Sequence, residues 1–195
     1  MVTKSQDYFL AFVHVSKAIS STLNLQEVLD LIVKEAIRSL ELKAGAISLL
    51  NKKEGRLELI TQQNLSKAFL KKGPVLADRS IARAIRAGGP VIVPDIEHDD
   101  QLQYPEECKR EGIRSILSVP IIFKDETIGV LRLYGSKSRD FTPQEVEFII
   151  ALAEQGGIAI ENARFMQELQ NSHKEEMREL WDWFHAMTGK AALDG

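Results

Sequence analysis

Several residues able to do chemistry crowd one short stretch of this sequence. Asp95, Glu97, His98, Asp99 and Asp100 bring carboxylates and an imidazole together. Hard oxygen ligands with one imidazole suit a divalent cation. Their spacing matches no known metal loop, and a solvated acidic loop accounts for the same residues, so no metal site is expected. His98 could hold a haem in principle, with nothing specific beside it. Cys108 is the single cysteine, which excludes an internal disulfide and a four-cysteine metal site. A redox role would need a lowered pKa and exposure. The simpler reading is an ordinary helical cysteine. His14, His173 and His185 fall on predicted helices as surface or seam residues. The sequence has no Gly-x-Ser-x-Gly elbow and no phosphate-binding glycine loop.

The elements that must position these residues follow from periodicity. Tyr8, Phe9, Phe12, Val13, Ser16 and Ile19 share one face of a helix over 5–22. Asn24 with Glu27 makes a capping box for a second helix, whose stripe runs from Leu25 to Leu40. The period then changes to two. Ala44 to Leu50 and Arg56 to Gln62 read as a hairpin around Lys52-Lys53-Glu54-Gly55. Asn64 to Ala77 reads as loop with a helical turn. Asp78 caps a short helix through Ala87, and Val91 to Val93 form a brief strand closed by Pro94. Pro105 opens a helix to Glu111. Arg114–Phe123 and Thr127–Tyr134 form the strongest strand pair, and Pro120 implies an edge position or a bulge.

Thr142-Pro143-Gln144-Glu145 is a strong helix start, and helical pattern continues to Met187. Unbroken, that helix would span about 67 Å at about 1.5 Å per residue, so part of it must project or find a partner. A seven-residue frame places Ile149, Gly156, Ala163, Gln170, Met177 and Phe184 at one core position. Leu152, Ala159, Met166, His173, Leu180 and Met187 fill the other. Up to about Ala163 the same residues also fit a helix lying on its own sheet. Gly156-Gly157 costs roughly 2 kcal/mol against alanine and marks a bend or a close helix approach. Trp181, Trp183 and Phe184 suggest a docking surface or a plug at the end of a dimer.

Composition sets the outer limits. The chain has 195 residues, 44% hydrophobic and 27% charged, as expected of a globular protein. A net charge of −3 gives no footprint for nucleic acid. Met1 to Ile19 lacks the pattern of a leader, and no apolar run of about 18 residues is present to span a membrane. A cytoplasmic location is the default expectation.

The order of elements and several motifs resemble a GAF domain, the small-molecule sensor module of signalling proteins. Leu25 to Leu29, Ala82 to Ile96, Glu111 to Pro120, Ile128 to Leu131, Phe141 to Glu145 and Ala159 to Ala163 carry the resemblance. It covers roughly residues 20–167, and it is the ordered set of motifs that makes it specific. It implies an α+β fold: a central antiparallel sheet of five to six strands with helices on both faces, and here a long C-terminal helix. The expected organisation is an N-terminal dimerisation helix over 1–22, a sensory domain over 23–167 and a helical extension over 168–195.

The resemblance also implies a ligand pocket between the sheet and the connections near Asp95 to Gly112. Asp95, His98, Tyr104, Cys108, Arg114 and Ser115 are its candidate residues. The Arg114 guanidinium suits a carboxylate or phosphate. A salt bridge from Arg114 to an acidic loop residue stays open as the alternative. Flanking helices of such domains often pair, so Phe9, Phe12, Ile149, Leu152, Ala159, Ala163, Met166, Met177, Leu180 and Phe184 are expected to form a homodimer seam. The ligand and any cofactor stay unknown.

Members that reduce free methionine sulfoxide use several cysteines, so the lone Cys108 argues against that activity. Bilin-binding members often follow the pocket cysteine with histidine, where this chain has Lys109. The cyclic-nucleotide signature is met only in part, at Lys137, Phe141 and Glu145. Eight residues follow Met187, too few for an output domain. The expected function is a sensory module signalling through paired helices to a separate protein partner or a missing output domain. A ligand-free dimerisation scaffold and a sulfoxide reductase remain the other readings.

Overall fold

The computed structural model describes residues 4–21, 24–73, 75–76, 84 and 88–191. The elements are α1 (Lys4–Ser21), α2 (Leu25–Leu40), β1 (Ala44–Asn51), β2 (Arg56–Gln63) and α3 (Lys67–Leu70). They continue with β3 (Val75–Leu76), β4 (Val91–Val93), a 3-10 turn (Ile96–His98) and α4 (Pro105–Arg110). β5 (Ser115–Phe123), β6 (Glu126–Gly135) and α5 (Pro143–Ala191) complete the set. The helix expected from Asp78 to Ala87 lies outside the described residues, Ala84 apart.

The strands form one antiparallel sheet of six in the order β3-β2-β1-β6-β5-β4. The fold is therefore the expected α+β arrangement. Two-residue alternation gives the sheet two dissimilar faces. On one face lie α2 and the first part of α5. A Cβ on Gly45 would meet Val33 and Ile37 of α2, and one on Gly157 would sit 3.0 Å from the Ile122 carbonyl. Gly156 likewise faces Ile32 and Leu29. The glycine pair thus marks a close approach, and α5 stays helical through it. On the other face Ala44, Ala46, Ile116 and Tyr134 pack with Phe69 of α3, Ile96 of the 3-10 turn and Cys108 of α4.

Local chemistry explains the element ends. The Asn24 side-chain Oδ1 accepts from the Gln26 and Glu27 N–H groups, capping α2. Thr142 and Glu145 form the reciprocal box that starts α5. Lys124 and Asp125 both take positive φ, as a two-residue hairpin turn between β5 and β6 requires. Pro120 lacks an N–H to donate. It lies beyond the reach of β4, which pairs only with Ile116 to Ser118, so on that side β5 is an edge. The bulge expected as its alternative falls instead between Ile121 and Ile122.

Helix α1 packs on α2 and α5. Tyr8 stacks on Phe148 at 4.5 Å, and the His14 ring nitrogen lies 3.0 Å from the buried Glu35 carboxylate. Residues 1–159 make one compact unit and 160–195 a second. The second unit is helical through Ala191, and every described side chain from Arg164 to His185 is exposed.

Candidate functional site

The concave part of the sheet centres on β6. Val130, Arg132 and Tyr134 alternate onto the face away from α2, while Leu131 and Leu133 are fully buried on the opposite face. Antiparallel register sets Arg132 between Ala46 of β1 and Ser118 of β5. Both neighbours are small, so the guanidinium lies in a depression of the sheet. Residues 65–73 run over this depression. They leave a cavity of about 110 Å³ lined by Ser48, Leu57, Leu65, Lys72, Arg132 and Tyr134 among others.

The polar groups in it are unusually buried for their type. Arg132 is 8% exposed, with its guanidinium 5.8 Å from the Tyr134 ring. The Lys72 ammonium sits 3.7 Å above the Phe69 ring and donates to the Phe69 carbonyl at 3.3 Å. Burial, with the Arg132 charge second, pulls the Lys72 pKa down. Burial pushes the Tyr134 hydroxyl up, and it does the same to the Cys108 thiol against the opposing pull of Arg132 and Lys72. These groups form one electrostatic cluster.

The residues expected from the resemblance divide in two. Tyr104 and Cys108 line a cleft of about 10 Å³ that shares Lys72, Arg132 and Tyr134 with the larger cavity. Asp95, His98, Arg114 and Ser115 do not line either space. Asp95 caps the 3-10 turn by accepting the Glu97 N–H at 3.0 Å, and its other oxygen lies 3.6 Å from His98. That backbone bond is the main cause of its lowered pKa. Arg114 takes the salt-bridge alternative, pairing with Glu97. Ser115 donates to the Lys137 carbonyl at 2.9 Å, joining β5 to the chain after β6. Among the described residues no group of three or more His, Cys, Asp or Glu could hold a metal ion.

The partial cyclic-nucleotide pattern has structural work in this chain. Phe141 is buried, and the Lys137 carbonyl accepts from Ser115. Glu145 pairs with Arg139 at 2.6 Å and closes the cap on α5.

The seam residues also divide. Ile149, Leu152 and Ala159 are buried in the chain's own core, because the first part of α5 lies over the sheet. They are therefore not available as a free seam. Phe9, Met166, Met177, Leu180 and Phe184 are exposed, while Phe12 and Ala163 are half-buried. Phe165, Leu169, Trp181 and Trp183, outside the two seam positions, are exposed as well.

Lys72 and Arg132 were missed at the sequence level. Arg132 had a signal: it is the one charged residue within the run Ile128 to Tyr134. Lys72 had none, since Lys71-Lys72-Gly73 reads as a surface turn.

The model of the family described as the GAF domain matches residues 22–161. An uncharacterized sensor-like histidine kinase of Chloroflexus aurantiacus is 23% identical over 89% of this chain and 29% of its own length. The chain spans 18% to 29% of the length of the curated relatives it matches. Among solved structures, the GAF domain of a phosphoenolpyruvate-protein phosphotransferase from Coxiella burnetii superposes with a TM-score of 0.76. It is 20% identical, over 85% of this chain and 99% of that one. A free methionine-R-sulfoxide reductase from Neisseria meningitidis, solved with its substrate, superposes at 0.69 with 16% identity, over 82% and 91% of the two chains.

Proposed function

The chain belongs to the GAF domain family, and from this we propose that it is a sensory module whose ligand sits over β6, beside Arg132 and Lys72. Homologous domains occur in a sensor-like histidine kinase and in a methyltransferase-associated sensor. The observation that carries the reading is the cavity itself. It lies on the side of the sheet away from α2, and Arg132 and Lys72 give its otherwise largely apolar wall two charged groups.

Signal transmission follows from β6 having two faces. Arg132 and Tyr134 meet the cavity, while Leu133 packs toward Gly45 and α2. A ligand that shifts β6 therefore shifts the support of α2, and with it α1 and the first part of α5. The exposed Phe9 of α1, and separately Met166, Met177, Leu180 and Phe184 of α5, are the surface for a second copy of the chain. Ligand binding would bias how the two copies pack, which is the two-state element that allostery needs. The output lies in a separate partner or in a domain outside this chain.

The scaffold reading shares the helix surface and differs in leaving the cavity empty. A reductase reading meets a chemical obstacle. A thiolate that reduces a sulfoxide ends as a sulfenic acid and needs a second thiol to resolve it. This chain has one cysteine, 3% exposed and held in the thiol form by burial. Thermal-shift screening of metabolites separates these readings, because a ligand bound only by the folded state raises its stability. The sensor reading expects at least one saturable shift, and its absence across metabolites, nucleotides and metals favours the scaffold. Turnover of free methionine sulfoxide with an added dithiol would favour the reductase.

A further inference from the structure

We propose that α5 pairs in parallel with α5 of a second copy over residues 163–185, and that His173, in the middle of the paired face, makes the pairing proton-sensitive. This rests on the reading of that face as the surface for a second copy, and it adds orientation and regulation.

The pattern and size of the exposed face point to a second copy. Met166, Met177, Leu180 and Phe184 hold the two core positions of the seven-residue frame. Leu169, Trp181 and Trp183 hold the positions beside them. All seven are exposed, and Leu180, Trp181, Trp183 and Phe184 are each more than half exposed. An aromatic side chain alone carries about 150–250 Å². Together these side chains leave in water an area on the order of the 800 Å² that each partner of a stable complex buries. The acids keep to the far side of the frame, where Glu161, Glu168, Glu175 and Asp182 recur every seven residues. A second α5 presents the same stripe and covers this one along its length.

Two polar core residues, Gln170 and His173, decide the orientation. An antiparallel pair matches polar with polar only when Gln170 opposes His173. That register sets Phe184 against Ala159, and Ala159 is buried in its own chain's core. Other antiparallel registers set Gln170 or His173 against an apolar side chain, which leaves a buried polar group without a bond. A parallel pair in register uses none of the buried residues. It sets Phe184 on Phe184, Gln170 on Gln170 and His173 on His173.

That polar layer fixes register at a cost in stability. A neutral imidazole both donates and accepts, so two of them can bond across the seam. Protonation turns both rings into donors only and sets like charges together in a partly dry seam. Lys174, the next residue, flanks the layer from both copies and adds to the repulsion. Glu176 falls beside the following Met177 layer. Within one chain every described side chain from Arg164 to His185 is exposed, so these groups and their counterparts in the second copy are the charges that face the ring. The paired state excludes protons, so association weakens as pH falls through the imidazole range, about 8 to 5. Two imidazoles per pair, each ordinarily titrating near about 6.5, make the change about ten- to a hundredfold between about pH 7.5 and about pH 5.5.

The test is sedimentation equilibrium of the full chain at those two pH values, with pyrene on Met177→Cys reporting the seam itself. The wild-type dimer is expected to weaken about tenfold or more at the lower pH, and pyrene excimer emission to fade in step. His173→Leu should pair about tenfold more tightly and lose most of the pH dependence. His173→Lys should pair weakly at both values. A dimer whose pH dependence is absent, or is unchanged in His173→Leu, overturns the proton-sensitive layer and leaves the seam reading standing. A dimer without excimer emission overturns the parallel pairing. A wild-type chain that stays monomeric at both values, or a dimer that Leu180→Glu with Phe184→Glu leaves intact, overturns the seam reading as well.

Discussion

Glu145 is 4% exposed and accepts from Arg139, whose guanidinium also donates to the Leu40 carbonyl at the end of α2. Burial alone would raise its pKa, but the Arg139 bond, the Thr142 N–H and the guanidinium charge together lower it. A carboxylate with a depressed folded pKa contributes stability above its unfolded value and loses it as pH falls through the folded one. Glu145→Gln is therefore expected to cost about 2 kcal/mol in urea unfolding at pH 7. The gap to wild type should close as the pH is lowered through the acid range. Lys72 has the opposite sign. Its pKa is lower in the folded chain, so the unfolded chain binds more protons over the interval up to the ordinary lysine value, and stability rises with pH there. Replacing Lys72 with Met is expected to raise the melting temperature of the ligand-free protein and to flatten that rise, as when a functional group is removed from a site it strains. Cys108, buried and with its pKa raised, should resist a thiol-reactive chromophore in the native state and react at once in denaturant.

At the scale of elements, the close contacts of β6 decide what substitutions it tolerates. A Cβ on Gly129 would lie 2.6 Å from the Ser48 carbonyl and 2.9 Å from a Leu49 methyl. The carbonyl belongs to the β1 backbone and cannot swing aside. Gly129→Ala should cost about 1–3 kcal/mol, read by chemical denaturation, and should disturb the cavity through Ser48. Local patterns made most elements legible in the sequence: the Asn24 and Thr142 caps, the hairpin turns, and the stripe of α2. The site was much less legible. The resemblance put the pocket near Asp95 to Gly112, and only Tyr104 and Cys108 of the named residues border on the cavity cluster. Asp95, Arg114 and Ser115 satisfy local bonds instead. Arg132 acquires its role from register across three strands, because Ala46 and Ser118 are the residues that leave it room. No spacing within one strand carries that information.

At the scale of the whole molecule, the buried half of the seam and the exposed half obey different constraints. Ile149 and Leu152 are needed by the core, so truncating them should unfold the domain and report nothing about association. Leu180 and Phe184 are 60% and 54% exposed, which is costly to leave in water across a row of such residues. Leu180→Glu with Phe184→Glu is expected to convert a dimer to a monomer in light scattering, with the thermal stability of the sensory domain preserved. Among the described residues no helix is long and apolar enough to cross a membrane. The central claim is that this chain is a ligand-binding sensor, and native mass spectrometry of the protein after incubation with a metabolite extract tests it most directly. The account predicts a dimer carrying one small molecule per chain. Only the bare mass of the chain, at every extract concentration, would contradict it.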